Sequence, residues 1–125
     1  MPIPPFSAAD LNLVRAILKE RYGREVEVQE VETEVRLSPA DRELTLCPAL
    51  FWKDEQEMCA FVVARTGPSA YRAMFYYSVK DRFGTGREEY DSLGDCVVTM
   101  LKVQEEVARQ RAQETGAPPP GKTTT

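Results

Sequence analysis

The sequence contains no histidine and only three cysteines, so it is poor in the residues from which metal sites and catalytic centres are usually built. Without histidine the commonest general acid–base is absent, and Ser-His-Asp and Cys-His arrangements are excluded. Cys47, Cys59 and Cys96 form no Cys-x-x-Cys pair and lie in apolar stretches, a pattern typical of reduced, buried thiols rather than a zinc site. We therefore expect a non-catalytic protein without a metal ion or another cofactor.

A long apolar run and an excess of basic residues are also missing. No apolar stretch approaches the roughly 20 residues of a membrane span, and the first residues lack the basic and apolar regions of a secretory signal. The 20 acidic residues outnumber the 16 basic ones and give a net charge of −4. Because nucleic-acid binding needs a basic footprint, we expect a cytoplasmic protein that binds neither nucleic acid nor membranes.

One stretch near the C-terminus matches a phosphate-binding P-loop in letters only. Gly116–Thr123 reads GAPPPGKT, but its three prolines have no N–H to donate to a phosphate, and a helical pattern precedes it where the motif requires a strand. We predict no nucleotide site there and interpret residues 114–125 as a disordered Pro/Thr-rich tail. Residues 1–6 are then an N-terminal extension, and residues 7–113 form a single domain.

Two segments have apolar residues at three- and four-residue spacing, which is typical of amphipathic helices. The first begins after Ser7, which forms an approximate capping box with Asp10, and ends at Gly23. The second begins near Ser92 and ends near Gln113.

Four segments between the helices have the pattern of strands. The first alternates valines with glutamates, with a slip in phase at Gln29 that suggests a bulge. The second is interrupted by Pro48, which favours an edge or a bend. The third is apolar at every position and the fourth is rich in aromatic residues. The four segments are residues 26–37, 42–53, 58–64 and 71–83.

This order of elements predicts an α+β fold. Short turns join the strands, which favours an antiparallel meander. Each helix has one apolar stripe, so both helices can cover the same sheet face. We therefore predict a two-layer sandwich in the order helix, four-stranded antiparallel meander, helix, with both helices on one sheet face.

The strands carry more apolar residues than two helices on one face can cover. The first strand places its glutamates on the outer face, but the third and fourth strands are apolar on both sides. Contiguous apolar surface usually marks an interface, where Trp, Tyr and Met are favoured. We predict a partner-binding surface for another protein or a second copy of the chain. Alternatively, a loop, the N-terminal extension or the C-terminal tail covers it. The predicted residues are Phe51, Trp52, Met74 and Tyr76.

The segment KDRFGTGREEYD, residues 80–91, is a second candidate site. Arg82 and Arg87 flank Gly84 and Gly86 just ahead of the second helix, so backbone N–H groups and guanidinium groups there can bind an anion. The alternative is an ordinary connection whose glycines make the turn.

Three functions follow from these patterns. The leading expectation is a small acidic adaptor, chaperone-like factor or accessory subunit that self-associates as a two-fold dimer. The alternative is a regulatory protein that binds a small anion or phosphate ligand at the Gly84–Arg87 loop. The third is an enzyme that uses Tyr, Asp or Glu as acid and base in a dimer cleft.

Overall fold

The computed structural model describes residues 3–78 and 80–115. Two helices accompany a five-stranded antiparallel sheet whose strands lie in chain order, so the fold is mixed α+β, as predicted. The residues described include no helix long and apolar enough to cross a membrane. The predicted tail begins at residue 114, but Glu114 and Thr115 still belong to the second helix, which continues through the predicted boundary. The rest of the predicted tail, with its P-loop-like letters, lies outside the described residues. The elements are α1 (Ala8–Tyr22), β1 (Gln29–Val35), β2 (Thr45–Asp54), β3 (Cys59–Gly67), β4 (Ala70–Tyr76), β5 (Arg82–Phe83) and α2 (Leu93–Thr115).

Helix α1 has the two ends that its sequence predicts. The Ser7 hydroxyl accepts a hydrogen bond from the Asp10 N–H at 3.1 Å, and the Asp10 carboxylate accepts one from the Ser7 N–H at 2.8 Å. Gly23 ends the helix with a φ of 71° and donates its N–H to the Lys19 carbonyl. Both caps satisfy backbone groups that the helix itself leaves without partners.

The sheet has five strands where the sequence predicts four. The predicted fourth strand ends at Tyr76, because a turn follows in which Ser78 accepts the Asp81 N–H through its carbonyl and Tyr77 donates its N–H to the Asp81 carbonyl. The chain then folds back so that Arg82 pairs with Tyr76. Serine and aspartate are residues that favour such turns, so the signal was present within the aromatic-rich segment.

The phase slip at Gln29 is not a bulge, since the pairing of β1 with β2 is continuous from Gln29–Phe51 to Val35–Thr45. Instead, the valines change sides of the sheet. Val26 and Val28 precede β1 and are buried in the main core, whereas Val31 and Val35 pack on the opposite side.

The β1 glutamates therefore lie on the side opposite to the predicted one. Glu30 pairs with the core residue Leu50, and residues paired across strands share a face. The prediction that these glutamates occupy the outer face is wrong.

One alternating set of strand residues forms the main core together with both helices. We call this side of the sheet the core face; its strand residues include Leu50, Trp52, Phe61, Val63 and Phe75. The rings of Trp52 and Phe61 stack with their centroids 5.4 Å apart, and Phe61 contacts Phe75 at 6.0 Å. The helix residues include Val14 and Leu18 of α1 and Cys96, Val97 and Met100 of α2.

The opposite side, which we call the second face, is partly covered by the chain itself. Cys47, Ala49 and Ala64 are buried there, at 0 to 3% exposure. Ile3 from the N-terminal extension and Leu37 from the segment after β1 pack against them. For this half of the face, the predicted alternative of self-coverage holds in part.

Arg72 of β4 holds the covering segment in place. Its guanidinium donates to the carbonyls of Arg36 and Leu37 at 2.9 and 2.8 Å and lies near the carboxylates of Glu88 and Glu89, at 3.7 and 3.4 Å. In a flat sheet β1 would lie about 14 Å from β4, beyond the reach of one side chain. The end of β1 and the residues after it therefore arch over the second face toward β4.

We expect Arg72→Met to lower the free energy of unfolding by about 1–3 kcal/mol, because the Arg36 and Leu37 carbonyl groups of the covering segment lose their charged donor. Urea unfolding would measure the change as a shift in midpoint at constant slope. Arg109→Met, at an exposed position on α2, is the matched control and should change stability by less than about 0.5 kcal/mol. Equal unfolding midpoints for the two variants would contradict this role of Arg72.

Candidate functional site

Trp52 does not belong to the predicted partner-binding surface. Its side chain is 1% exposed and lies in the main core, on the face opposite to Phe51. The reason is the alternation of side chains along β2, by which neighbouring residues point to opposite faces. Its indole N–H is buried without a hydrogen-bond partner among the described residues, so burial rather than polar contact fixes this ring.

The other three predicted residues share the second face. Phe51 of β2, Val62 of β3 and Met74 of β4 are paired in one row across three adjacent strands. Tyr76 lies in the next row, beside Ala60. All except Ala60 are partly exposed. The rest of the second face therefore carries a partly exposed apolar strip, which we call the open strip: Phe51, Val62, Met74 and Tyr76.

Met58 extends the open strip at the hairpin between β2 and β3. It is 76% exposed, has a φ of 55°, and lines a cavity of about 500 Å³ together with Tyr76 and Lys53. A positive φ is uncommon for a residue with a side chain and is found mostly in turns. The sequence pattern places Met58 at the start of the third strand, whereas β3 begins at Cys59 and Met58 ends the turn before it.

The hairpin that carries Met58 is held to α2 by a buried polar network. The Gln104 side chain is 1% exposed and donates to the Glu57 carboxylate at 2.7 Å and to the Tyr77 hydroxyl at 3.1 Å. Asp54 accepts the N–H groups of Gln56 and Glu57, which shapes the turn. These contacts fix the hairpin without using the side chain of Met58.

The predicted anion-binding loop is ordered by its own contacts. Gly86 has a φ of 84°, and the Thr85 hydroxyl accepts a hydrogen bond from the Tyr90 hydroxyl at 2.6 Å. The Arg87 guanidinium lies 4.7 Å above the Tyr90 ring and donates to the Glu89 carbonyl at 3.0 Å. Glycine at position 86 is explained by its positive φ, which supports the interpretation of this segment as a turn.

This loop and the open strip meet at one cavity. The cavity has a volume of about 570 Å³, and its wall includes Met74 together with Arg82, Gly84, Gly86 and Arg87. The two sets of residues that the sequence predicts as separate sites thus border the same space. Among the described residues, the lining from this loop ends at Glu88, so the start of α2 at Leu93 is not part of the wall.

The remaining reactive groups lie in the core. Burial raises the pKa of the Cys59 and Cys96 thiols to about 12, and it also raises the pKa of Cys47. A thiol is a weak nucleophile when its pKa is high. Within residues 3–78 and 80–115, no three Cys, Asp or Glu side chains lie close enough together to hold a metal ion.

Comparison of the chain with models of known protein families, with curated proteins and with solved structures found no match.

The Glu57 network predicts a specific pH dependence. Burial raises the pKa of Glu57 above its ordinary value, with a partly opposing effect from the Gln104 hydrogen bond. A carboxyl whose pKa is higher in the folded state contributes stability that is fully present below its unfolded pKa and lost as pH rises through the folded pKa. We expect Glu57→Gln, which keeps an oxygen for Gln104, to gain stability relative to the wild type as pH rises from about 4 to 7.

Urea unfolding at several pH values would measure this effect. Glu55→Gln, at an exposed position in the same hairpin, is the control, and its stability profile should follow that of the wild type. Parallel profiles for wild type and Glu57→Gln would show that the carboxyl does not titrate differently on folding.

Proposed function

We propose that this chain is a small non-catalytic interaction protein of the cytoplasm, an adaptor, chaperone-like factor or accessory subunit that binds a protein through the open strip. Both helices cover the core face in this proposal, and a two-fold dimer is the default assembly. The observation that carries it is the row Phe51, Val62 and Met74, which stays partly exposed across three adjacent strands. Apolar surface of this kind, with Met and aromatic side chains, is favoured at protein interfaces.

The apolar and aromatic composition of the open strip is typical of a protein interface. In the first half of the second face, Ile3 and Leu37 cover the small residues Cys47, Ala49 and Ala64, so the chain does cover apolar surface where a segment reaches it. The strip residues stay partly exposed, and Met58 is 76% exposed. A charge placed in the strip should therefore disturb binding far more than it disturbs folding, because Met74 is only partly buried.

Site-specific photocrosslinking would test this proposal. With benzoylphenylalanine at position 76, we expect a discrete adduct in native extract or with a second copy of the purified chain. Position 98 on α2, where Val98 is 39% exposed, is the matched control and should give no such adduct. Introducing Met74→Glu should abolish the adduct at position 76, because a desolvated carboxylate opposes association.

Sedimentation equilibrium of the purified chain decides which partner is involved. A mass of twice the 14.1 kDa chain that falls to the monomer value in Met74→Glu supports the homodimer. A monomer that forms adducts only in extract supports a different protein. Equal adducts at positions 76 and 98, or none at either, would rule out the open strip as an interface.

A second candidate function is binding of a small anion at the Gly84–Arg87 loop. The observation in its favour is that Arg82, Gly84, Gly86 and Arg87 all line the cavity of about 570 Å³, a volume within the usual range for small-ligand sites. Met74 borders both the cavity and the open strip, so the two candidate sites are adjacent.

A further inference from the structure

The cavity beside the Gly84–Arg87 loop has an apolar floor, which a site for a simple anion would not need. Val62, Ala64 and Met74 of the second face line it, and Val35 of the arching β1 contributes to its wall. These side chains offer contact to hydrocarbon and no hydrogen bonds. Any ligand that fills this space must therefore have an apolar part as well.

The rim of the same cavity carries arginine side chains, and Arg87 among them has no carboxylate partner within the described residues. Arg72 is compensated by the carboxylates of Glu88 and Glu89, as described above. Arg87, in contrast, contacts a ring and a neutral carbonyl oxygen, and no carboxylate of the described residues lies within ion-pair distance of its guanidinium. The wall also includes Arg82 and the carboxylates of Glu34 and Glu88.

The loop also leaves space for close approach to its backbone. A Cβ atom built on Gly84 would meet no other atom within 4 Å, and the same holds at Gly86. Open backbone next to an arginine is suited to a carboxylate or phosphate oxygen, which accepts hydrogen bonds from both. The polar end of the site is thus defined by Gly84, Gly86 and Arg87.

We propose that this cavity binds a small amphipathic anion, with its carboxylate or phosphate at the Gly84–Arg87 rim and a hydrocarbon chain on the floor formed by Val62, Ala64 and Met74. The proposal rests on the second candidate function and specifies its ligand class. Both halves of the ligand contribute to affinity, so neither a short anion nor an uncharged chain of equal length binds as well.

A chain-length series measured by isothermal titration calorimetry on the full chain tests the ligand class. Acetate, hexanoate, octanoate and decanoate carry the same head group, and decanol has the longest chain without the charge. We expect affinity to rise by about fourfold for each methylene that becomes buried, until the floor is filled. Decanol should bind at least tenfold more weakly than decanoate. Octyl phosphate and inorganic phosphate distinguish a phosphate head from a carboxylate.

Variants of the rim and the floor separate the two halves of the site. Arg87→Ala should weaken decanoate by about tenfold and leave decanol unchanged. Gly84→Glu places a carboxylate where the structure has space for it, so it should fold normally and repel decanoate. Met74→Glu should weaken both ligands. Arg109→Ala, at an exposed position on α2 outside the cavity wall, is the matched control and should bind as the wild type does.

Three results would overturn the proposal. Equal affinity for decanol and decanoate, unchanged in Arg87→Ala and Gly84→Glu, would show that the rim recognises no anion. Equal affinity for acetate or inorganic phosphate and decanoate would show that the floor contributes nothing. No binding of any of these compounds would show that the cavity is not a ligand site. None of these results would change the crosslinking expected at position 76. The crosslinking experiment therefore tests the interaction function independently of ligand binding.

Discussion

The hydrogen bonds of Arg72 to the carbonyls of Arg36 and Leu37 determine the shape of the second face. They draw the end of β1 toward β4, which converts one half of this face into a buried minor core and turns the space next to it into a concave site. The carboxylates of Glu88 and Glu89 add the counter-charge, so the same arginine also fixes the loop that carries Arg87. The cavity wall and the cover of the minor core thus depend on one side chain.

The main core is a simpler consequence of alternation. Aromatic rings on β2, β3 and β4 pack against the apolar stripes of both helices. The sequence shows this pattern directly, as helical spacing of apolar residues and alternation along the strands. Helix positions, caps and the antiparallel order of the strands were accordingly predictable. The turn after Tyr76 was not recognised, because the aromatic alternation on either side of it masked the Ser–Asp signal.

The candidate site was only partly predictable for a different reason. Periodicity tells which residues share a face of a strand, but it does not tell which face of the sheet the helices cover. For this reason the predictions for Trp52 and for the β1 glutamates assigned both to the wrong face. The arch depends on a contact between residues 36 positions apart in the chain, for which no local pattern exists. Met74 and Arg87 were each identified as candidates, yet their common cavity follows only from the fold.

The small size of Cys47, Ala49 and Ala64 has a consequence for how such a site can diversify. These residues act as spacers beneath the arch: their volume sets how closely β1 approaches the floor, and hence the width of the neighbouring cleft. Enlarging or shrinking a spacer would alter the dimensions of the cleft while its charged groups keep their identities. In the proposed site, the width of the cleft and the charge of its rim would therefore depend on separate positions, so that a substitution can change one without the other.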